Sequence, residues 1–372
     1  MLLILLASLA GSLLATLGLI ASAHRHAHLS ADHDLSGPQK MHHEAVPRVG
    51  GVGIFTGLLA GAAVAAWTLP GQRHEILLFV ACTLPAFLSG LWEDVTKAIS
   101  PRRRMVALAL SGVLGVVLLN GVILRTGFLP LDHLLLANGL AWIGILGAIF
   151  GVTGISNSVN IVDGLNGLAS MCVAMMAAAL AWIAFRVGDA LVASLALASL
   201  GATLGFFVWN YPRGKVFLGD GGAYMLGFIV AELGILLAAR HPQVSMLAPL
   251  LIVMYPFLET LFSMYRRRVL QGRSMTQPDG IHLHTLIYRR LRRDVTGSAR
   301  RANSGTSPFL WLLAAVGIVP AAIWWNDSTV LALVSCVFVL CYFDVYWRIV
   351  RFKSPRWMKA RRRLPPRRPA VR

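Results

Sequence analysis

The residues able to do chemistry lie in short polar stretches between long apolar runs. Glu93 and Asp94 end one apolar run, in SGLWEDVTKAISPRRRM. In SNSVNIVDG, Asn160 and Asp163 are three residues apart, a spacing that places two side chains on one face of a helix. This second stretch contains no Lys or Arg. Carboxylate and amide oxygens without a basic partner suit a hard divalent cation, and the alternative is ordinary turn and helix-capping chemistry.

A further acid, Asp220, stands in WNYPRGKVFLGDGG just before another apolar run. The two glycines after it let the backbone approach a ligand closely. We expect the next helix to begin near Ala223, so that its N-terminal N–H groups point toward an anion. Phe217, three residues before Asp220, could stack on a nucleotide base. The alternative is that Asp220 simply caps the helix.

Histidines and basic residues occupy two other polar stretches. His282 and His284 lie two apart in QPDGIHLHTLIYRRLRR, and four arginines follow them. No third nitrogen or thiolate ligand accompanies the histidines, so the stretch suits phosphate oxygens better than a transition metal. Lys40 and Arg48 lie in GPQKMHHEAVPRVGGVG, where glycines beside basic groups can hold phosphate. The alternatives are a solvated basic loop and a flexible hinge.

The composition predicts that membrane-spanning helices position these stretches. Of the 372 residues, 56% are hydrophobic and only 13% are charged, with a mean hydropathy of +0.67. A soluble domain carries about 25% charged residues. A helix needs roughly 20 apolar residues to cross a bilayer. We therefore predict an all-α polytopic membrane protein with eleven spans, at 2–23, 51–69, 76–91, 105–124, 134–155, 165–185, 190–208, 223–239, 245–262, 309–325 and 329–346.

The basic residues are sorted between the two sides of the predicted membrane. With eleven spans, 30 of the 34 Lys and Arg fall on one side, and the other side holds only Arg73, Arg125, Arg186 and Arg240. The positive-inside rule makes the richer side cytoplasmic. The N-terminus is then outside and the C-terminus inside. This sorting accounts for the net charge of +18 without a nucleic-acid partner.

The domain organisation predicted from this pattern is simple. Residues 1–346 form one polytopic domain, and the basic, Pro-rich residues 347–372 form a disordered cytoplasmic tail attracted to anionic lipid. The first span could instead be a cleaved signal peptide, but cleavage would invert every later loop. All the polar stretches quoted above fall on the cytoplasmic side. Groups for a diphosphate, for Mg²⁺ and for a base indicate a nucleotide-diphosphate substrate, and the membrane indicates a lipid co-substrate.

These motifs resemble the polyprenyl-phosphate N-acetylhexosamine-1-phosphate transferases, which form glycosyltransferase family 4. Relatives include phospho-N-acetylmuramoyl-pentapeptide transferase and undecaprenyl-phosphate GlcNAc-1-phosphate transferase. The matching pieces occur in family order across residues 40–290. They are KMHHEAVPRVGG, GLWEDVTKAISPRRRM, NSVNIVDGLNGLAS, WNYPRGKVFLGDGGAYMLG and GIHLHTLIYRR.

The resemblance implies roles for the acidic residues. Asp163 and Asp220 correspond to aspartates of a Mg²⁺ site, which Mn²⁺ could also occupy. Glu93 and Asp94 stand where the family has an acidic pair. We therefore expect Glu93, Asp94 and Asp163 to be catalytic, with Asp94 accepting or holding away the proton of a lipid phosphate.

The resemblance also implies substrate-binding residues. Asn210 and Phe217 match residues that contact uridine, while Lys40, His282 and His284 match groups near the phosphates or the sugar. Asn160 joins the substrate-binding set.

Three departures from the family pattern concern the substrate more than the reaction. Glu93 replaces an aspartate, so its carboxylate reaches one methylene further. Asn166 replaces the second aspartate of the NxxDGxDG motif. The histidine stretch reads HLHT where some relatives have another histidine, which argues against a pentapeptide-carrying substrate.

The resemblance implies an enzyme of the bacterial inner membrane with its active site on the cytoplasmic face. The expected reaction moves a sugar-1-phosphate from a UDP-N-acetylhexosamine to undecaprenyl phosphate and releases UMP, as the first membrane step of O-antigen or similar envelope polysaccharide synthesis. A membrane transporter and a non-catalytic assembly scaffold are the alternatives. The sequence leaves open the sugar, the polymer, direct or covalent transfer, and the oligomeric state, a homodimer included.

Overall fold

The computed structural model of the protein describes residues 1–24, 46–127, 132–133, 140–270, 272, 280–293 and 298–351. Lys40 and the tail from residue 352 onward lie outside these residues. Within the described part the regular elements are helices, with only an isolated bridge residue at Pro47. The predicted all-α fold class is therefore confirmed.

Thirteen α-helices follow one another through the described residues. A 3₁₀ turn, Pro70–Gln72, precedes the third, and a π-helical turn, Arg266–Leu270, extends the tenth. In chain order they are α1 Leu2–Ala21, α2 Gly50–Thr68, α3 Arg73–Thr96, α4 Pro101–Leu119, α5 Ala141–Val162, α6 Leu168–Val187, α7 Ala190–Asn210, α8 Gly219–Arg240, α9 Leu247–Ile252, α10 Met254–Tyr265, α11 Leu283–Leu291, α12 Ala299–Ile323 and α13 Ser328–Val350.

The length and apolarity of these helices confirm a multi-pass membrane protein. Among the described residues, nine helices are long and apolar enough to cross a bilayer: α1, α2, α3, α5, α6, α7, α8, α12 and α13. Two predicted spans have no counterpart among these nine helices. Residues 105–124 correspond largely to α4, whose first turn carries three arginines, and residues 245–262 are broken at Val253 into α9 and α10. The count of eleven spans and their orientation stay predictions.

Helix α8 is the centre of the bundle. It is buried along nearly its whole length and packs mainly against helices that precede it in the chain, among them α2, α3, α5 and α6. An apolar helix that is covered on all sides is a core helix and not a lipid-facing one. Because α8 begins with Gly219 and Asp220, this packing fixes one acid at the end of the best-buried element of the protein.

Helix α1 belongs to the same packed core. Its small polar residues Ser8, Ser12 and Thr16 are fully buried and recur every fourth residue. They face glycines of α2 and α7, where an added Cβ would collide with α1. Small residues on facing helices let the backbones approach closely inside a membrane. The N-terminal helix is therefore a packed member of the bundle.

Candidate active site

Two segments pair side by side at one end of α8 and bring distant residues together. The Phe217 N–H donates to the carbonyl of Pro47 at 2.9 Å, and the Gly50 N–H donates back to the carbonyl of Phe217 at 2.9 Å. The Gly51 N–H adds a bond to Leu218 O at 2.9 Å. This pairing holds Arg48, just before α2, beside the start of α8.

A cavity of about 280 Å³ opens at this pairing. Its walls come from separate parts of the chain: the segment before α2, the end of α5 and the loop after it, the end of α7 with the start of α8, and the start of α11. It brings together seven of the predicted site residues, with Arg48 added: Asn160, Asp163, Asn210, Phe217, Asp220, His282 and His284. Glu93 and Asp94 are not among its lining residues.

Asp220 lies in the first turn of α8. Its Oδ1 accepts a 2.7 Å hydrogen bond from Asn160 Nδ2 and a 3.5 Å bond from Arg48 Nη2. The helix begins at Gly219, so the expected start near Ala223 is wrong, and so is the alternative of Asp220 as the N-cap, which is Leu218. A carboxylate in a first helical turn is stabilised by the helix dipole.

Asp94 caps α8 from a different helix. Its Oδ1 accepts from the Asp220 N–H and its Oδ2 from the Gly221 N–H, each at 2.9 Å, and Arg48 Nε lies 4.0 Å away. The side chain is buried, at 4% exposure. Gly90, one turn earlier on α3, permits this approach, because any Cβ there would collide with the backbone of Asp220 and Gly221. Asp94 therefore fixes the position of the Asp220 backbone.

Glu93 points elsewhere although it neighbours Asp94. Adjacent residues of a helix do not share a face. The two carboxylate oxygens of Glu93 bind Arg104 Nη1 at 3.1 and 3.2 Å, and the same guanidinium lies over the Tyr224 ring. The structure thus separates the acidic pair: one member supports the start of α8, and the other forms an ion pair with α4.

Asp163 follows the last residue of α5 and faces the cavity. Removal from water raises the pKa of Asp163 to about 7, while the Arg48 guanidinium lowers it and the Asp220 carboxylate raises it. No group of three His, Cys, Asp or Glu is arranged as a metal cage within the described residues. Two carboxylates in one cavity still fit Mg²⁺, which takes one or two carboxylates and completes its shell with phosphates and water.

The turn after α5 is fastened to α7 and α12. Asn210 Oδ1 accepts from the Gly167 N–H at 2.6 Å, and its Nδ2 donates to Val216 O at 2.8 Å. Asn303 Oδ1 accepts from the Asn166 N–H at 2.9 Å, and Ser307 donates to Asn166 O at 2.7 Å. Asn210 therefore lines the cavity while both ends of its amide bind backbone.

Sequence reasoning assigned no site role to two residues that have clear roles in this geometry. Arg48 stands out in the sequence only as one base of a glycine-rich stretch, yet it lies between Asp94 and Asp220. Glu259 is buried in α10 and accepts from His282 Nδ1 at 3.1 Å. An acid within an apolar helix, paired with a histidine of the cavity, is a signal for a function. No comparable signal marks Asn303 or Ser307.

Comparison with known proteins agrees with the resemblance. Residues 76–238 match Glycosyl transferase family 4. A probable undecaprenyl-phosphate N-acetylglucosaminyl 1-phosphate transferase of Bacillus subtilis is 29% identical over 250 residues, 66% of each chain. An undecaprenyl-phosphate alpha-N-acetylglucosaminyl 1-phosphate transferase of Yersinia pestis is 28% identical over 329 residues, 84% of each chain. A phospho-N-acetylmuramoyl-pentapeptide-transferase of Streptococcus thermophilus is 33% identical over 150 residues, 40% of this chain and 42% of that one.

This fold, this cavity and these matches support the assignment of the protein to glycosyl transferase family 4. It is an integral membrane transferase of the sugar-1-phosphate class.

Proposed function

We propose that the protein transfers an N-acetylhexosamine-1-phosphate from a UDP-sugar to undecaprenyl phosphate at the cytoplasmic face of the bacterial inner membrane. An oxygen of the lipid phosphate bonds to the sugar-bearing β-phosphorus, and the bond from that phosphorus to the bridging oxygen breaks. The products are undecaprenyl-diphospho-sugar and UMP. The step would begin synthesis of an envelope polysaccharide such as an O-antigen.

The observation that carries this proposal is the set of side chains that line the cavity. It combines two acids, Asp163 and Asp220, with Arg48 and a pair of histidines, and it places Phe217 on its wall. Such a set of groups suits a diphosphate bearing a sugar and a base, because carboxylates hold the metal that phosphates require while arginine binds phosphate oxygens in a fork. A pocket that bound only the apolar part of a lipid would not require these charged side chains.

Asp163 and Asp220 would hold the Mg²⁺ ion of this reaction. A divalent ion bound there supplies charge stabilisation to phosphate oxygens. The chain itself prepares that place: Asn160 and Arg48 bond to one oxygen of Asp220, and Asp94 fixes the backbone below it. The proton-accepting role expected for Asp94 stays a prediction, and its observed bonds favour a positioning role.

A direct assay tests the proposal. Purified protein in detergent receives undecaprenyl phosphate, Mg²⁺ and sugar-labelled UDP-N-acetylglucosamine, UDP-N-acetylgalactosamine or UDP-linked 6-deoxy-N-acetyl sugars in separate reactions. We expect a labelled lipid and an equal amount of UMP with at least one donor, and the preferred donor identifies the sugar. Failure of every donor to label the lipid would refute the proposal and return the transporter and scaffold alternatives.

A further inference from the structure

A buried carboxylate stands behind the histidine wall of the cavity. Glu259 is 1% exposed. Its Oε1 accepts from His282 Nδ1 at 3.1 Å and from the Leu283 N–H at 2.9 Å, and its Oε2 accepts from the Tyr342 hydroxyl at 2.9 Å. Donors from the start of α11 and from α13 thus meet on one carboxylate of α10. The carboxylate is well satisfied and holds three elements in register.

This contact decides which atom of His282 meets the cavity. Because Nδ1 is turned toward Glu259, Nε2 is the ring nitrogen that a ligand in the cavity would meet. A carboxylate behind an imidazole fixes the tautomer and the ring orientation, and it stabilises positive charge on the ring when Nε2 is protonated as well. His282 lines the cavity, and the ring of His284 stacks parallel to it with centroids 5.4 Å apart.

We propose that Glu259 is a positioning residue that acts through His282. It holds the ring so that Nε2 binds a phosphate oxygen of the nucleotide sugar, at the part of the cavity wall formed by the start of α11. This inference rests on the proposed transfer reaction. The dyad gives the cavity a second phosphate-binding group besides Arg48, and Glu259 contributes through the orientation and charge of the ring without lining the cavity itself.

A second buried glutamate provides a matched control. Glu232 is also 1% exposed and lies within α8, packed against Gly115 and Gly121. Its Oε1 has no hydrogen-bond partner among the described residues, and it does not line the cavity. Replacing either glutamate by glutamine removes one buried carboxyl of the same size from a helix, but only one of the two changes touches a cavity residue.

The test is a double-mutant cycle with Glu259→Gln, His282→Asn and both together, compared with Glu232→Gln. Turnover of the labelled nucleotide sugar and the dissociation constant of UDP are measured for each. We expect Glu259→Gln to lower kcat by about tenfold to hundredfold and to weaken UDP binding, by analogy with the loss of the carboxylate partner of a metal-ligating histidine. In the His282→Asn background the same change should cost no more than about twofold, because residues that act as one unit are not additive.

The outcomes separate this inference from the proposed reaction. Equal losses from Glu259→Gln in both backgrounds, or no loss in the wild-type background, overturn the positioning role. Glu232→Gln is expected to match the wild type throughout. Thermal melting of each variant checks that it folds. If Glu259→Gln does not fold, Glu259→Asp, which keeps the charge among the same donors, replaces it in the cycle. Its loss of activity is then compared between the wild-type and His282→Asn backgrounds in the same way. A wild-type protein that binds UDP but labels no lipid refutes the proposed reaction. The UDP dissociation constants of the four proteins in the double-mutant cycle then still test whether Glu259 acts through His282.

Discussion

Helices α7 and α8 each have one end at the cavity and the other end at the opposite side of the bundle. The charged side chains are paired more completely at the opposite side than at the cavity. Away from the cavity, Asp189 caps α7 by accepting from the Val192 N–H at 3.0 Å. Its other oxygen accepts from Arg240 Nε and His241 Nε2, both at 2.8 Å. Arg125 adds hydrogen bonds to backbone carbonyls at the end of α8. Each charge of this group has a close polar partner.

At the cavity end the charges of the described residues are less completely paired. Arg48 is shared between Asp94 and Asp220 at 3.5–4.0 Å, and within the described residues the Asp163 carboxylate accepts no hydrogen bond. Asp163 has a raised pKa because it is removed from water. Burial also acts to raise the pKa of Asp189, but hydrogen bonds from Val192, His241 and Arg240 bring it below its ordinary value. The end around Asp189, where the charges are fully paired, is structural. At the cavity end, the carboxylates of Asp163 and Asp220 can bind a ligand.

The largest effect should come from Asp220→Asn. We expect UMP release to fall about a thousandfold or more, since a metal ion stabilises charge by several kcal/mol and each 1.4 kcal/mol is about tenfold. The variant should still fold, which its melting curve checks. The same change at the opposite end, Asp189→Asn, is the matched control and should keep turnover within about twofold. Near-normal UMP release from Asp220→Asn would contradict the view that the cavity end is catalytic and the Asp189 end is structural.

Substitution of Asp94 should lower kcat more than substitution of Glu93, because the two side chains have different contacts. The variants compared are Asp94→Asn and Glu93→Gln. An asparagine at position 94 can accept only one of the two N–H groups at the start of α8, and an unpaired buried donor costs about 1–3 kcal/mol. Displacement of Asp220 should then lower kcat by about tenfold to hundredfold. Glu93→Gln breaks only a partly exposed ion pair with Arg104, worth about 1 kcal/mol or less, so its loss should stay below about fivefold. Steady-state assays of both variants test this split, and a larger effect from Glu93 would contradict this geometry.

The stability of the protein should depend on Asp189 and its partners Arg240 and His241. Asp189→Asn keeps an N-cap for α7 but loses the charge that Arg240 and His241 bind. Hydrogen bonds to a charged group are worth about 1.5–3 kcal/mol, so we expect the free energy of unfolding to drop by about that amount at neutral pH. Because the folded pKa of Asp189 is lowered, its contribution is present at neutral pH and fades on acidification toward that pKa. A melting point unchanged by the substitution would show that this end is not structural.

The smallest and most specific effect is a pH dependence of opposite sign at the cavity. Since the folded pKa of Asp163 is raised to about 7, the metal-free protein holds a proton there that the unfolded chain loses near pH ~4. The stability contribution of Asp163 is therefore greatest at low pH and is lost as pH rises through about 7. Melting of the wild type minus that of Asp163→Asn, both in chelator, isolates this slope. Added Mg²⁺ should raise the melting point of the wild type more at about pH 8 than at about pH 6, and a flat difference curve would contradict the assignment.

Much of the site was predictable because its residues lie in local motifs. The spacing of Asn160 and Asp163, the glycines after Asp220 and the paired histidines all indicated residues that line the cavity. Their polar character stands out against apolar runs, where an unpaired polar group is costly. The expected roles of Glu93 and Asp94 were less accessible, because sequence adjacency hides that the two side chains leave the helix on different faces.

The sequence by itself determined that the chain is helical and crosses a membrane repeatedly, because apolar runs of this length can satisfy their backbone only as helices in lipid. It also determined which residue types were available for metal and phosphate. Only the tertiary structure decided that Arg48 reaches Asp220 across 172 positions, that Asp94 caps another helix, and that Glu259 stands behind His282. Those contacts depend on which helices pack together, and helix packing is set by the shapes of surfaces far apart in the chain.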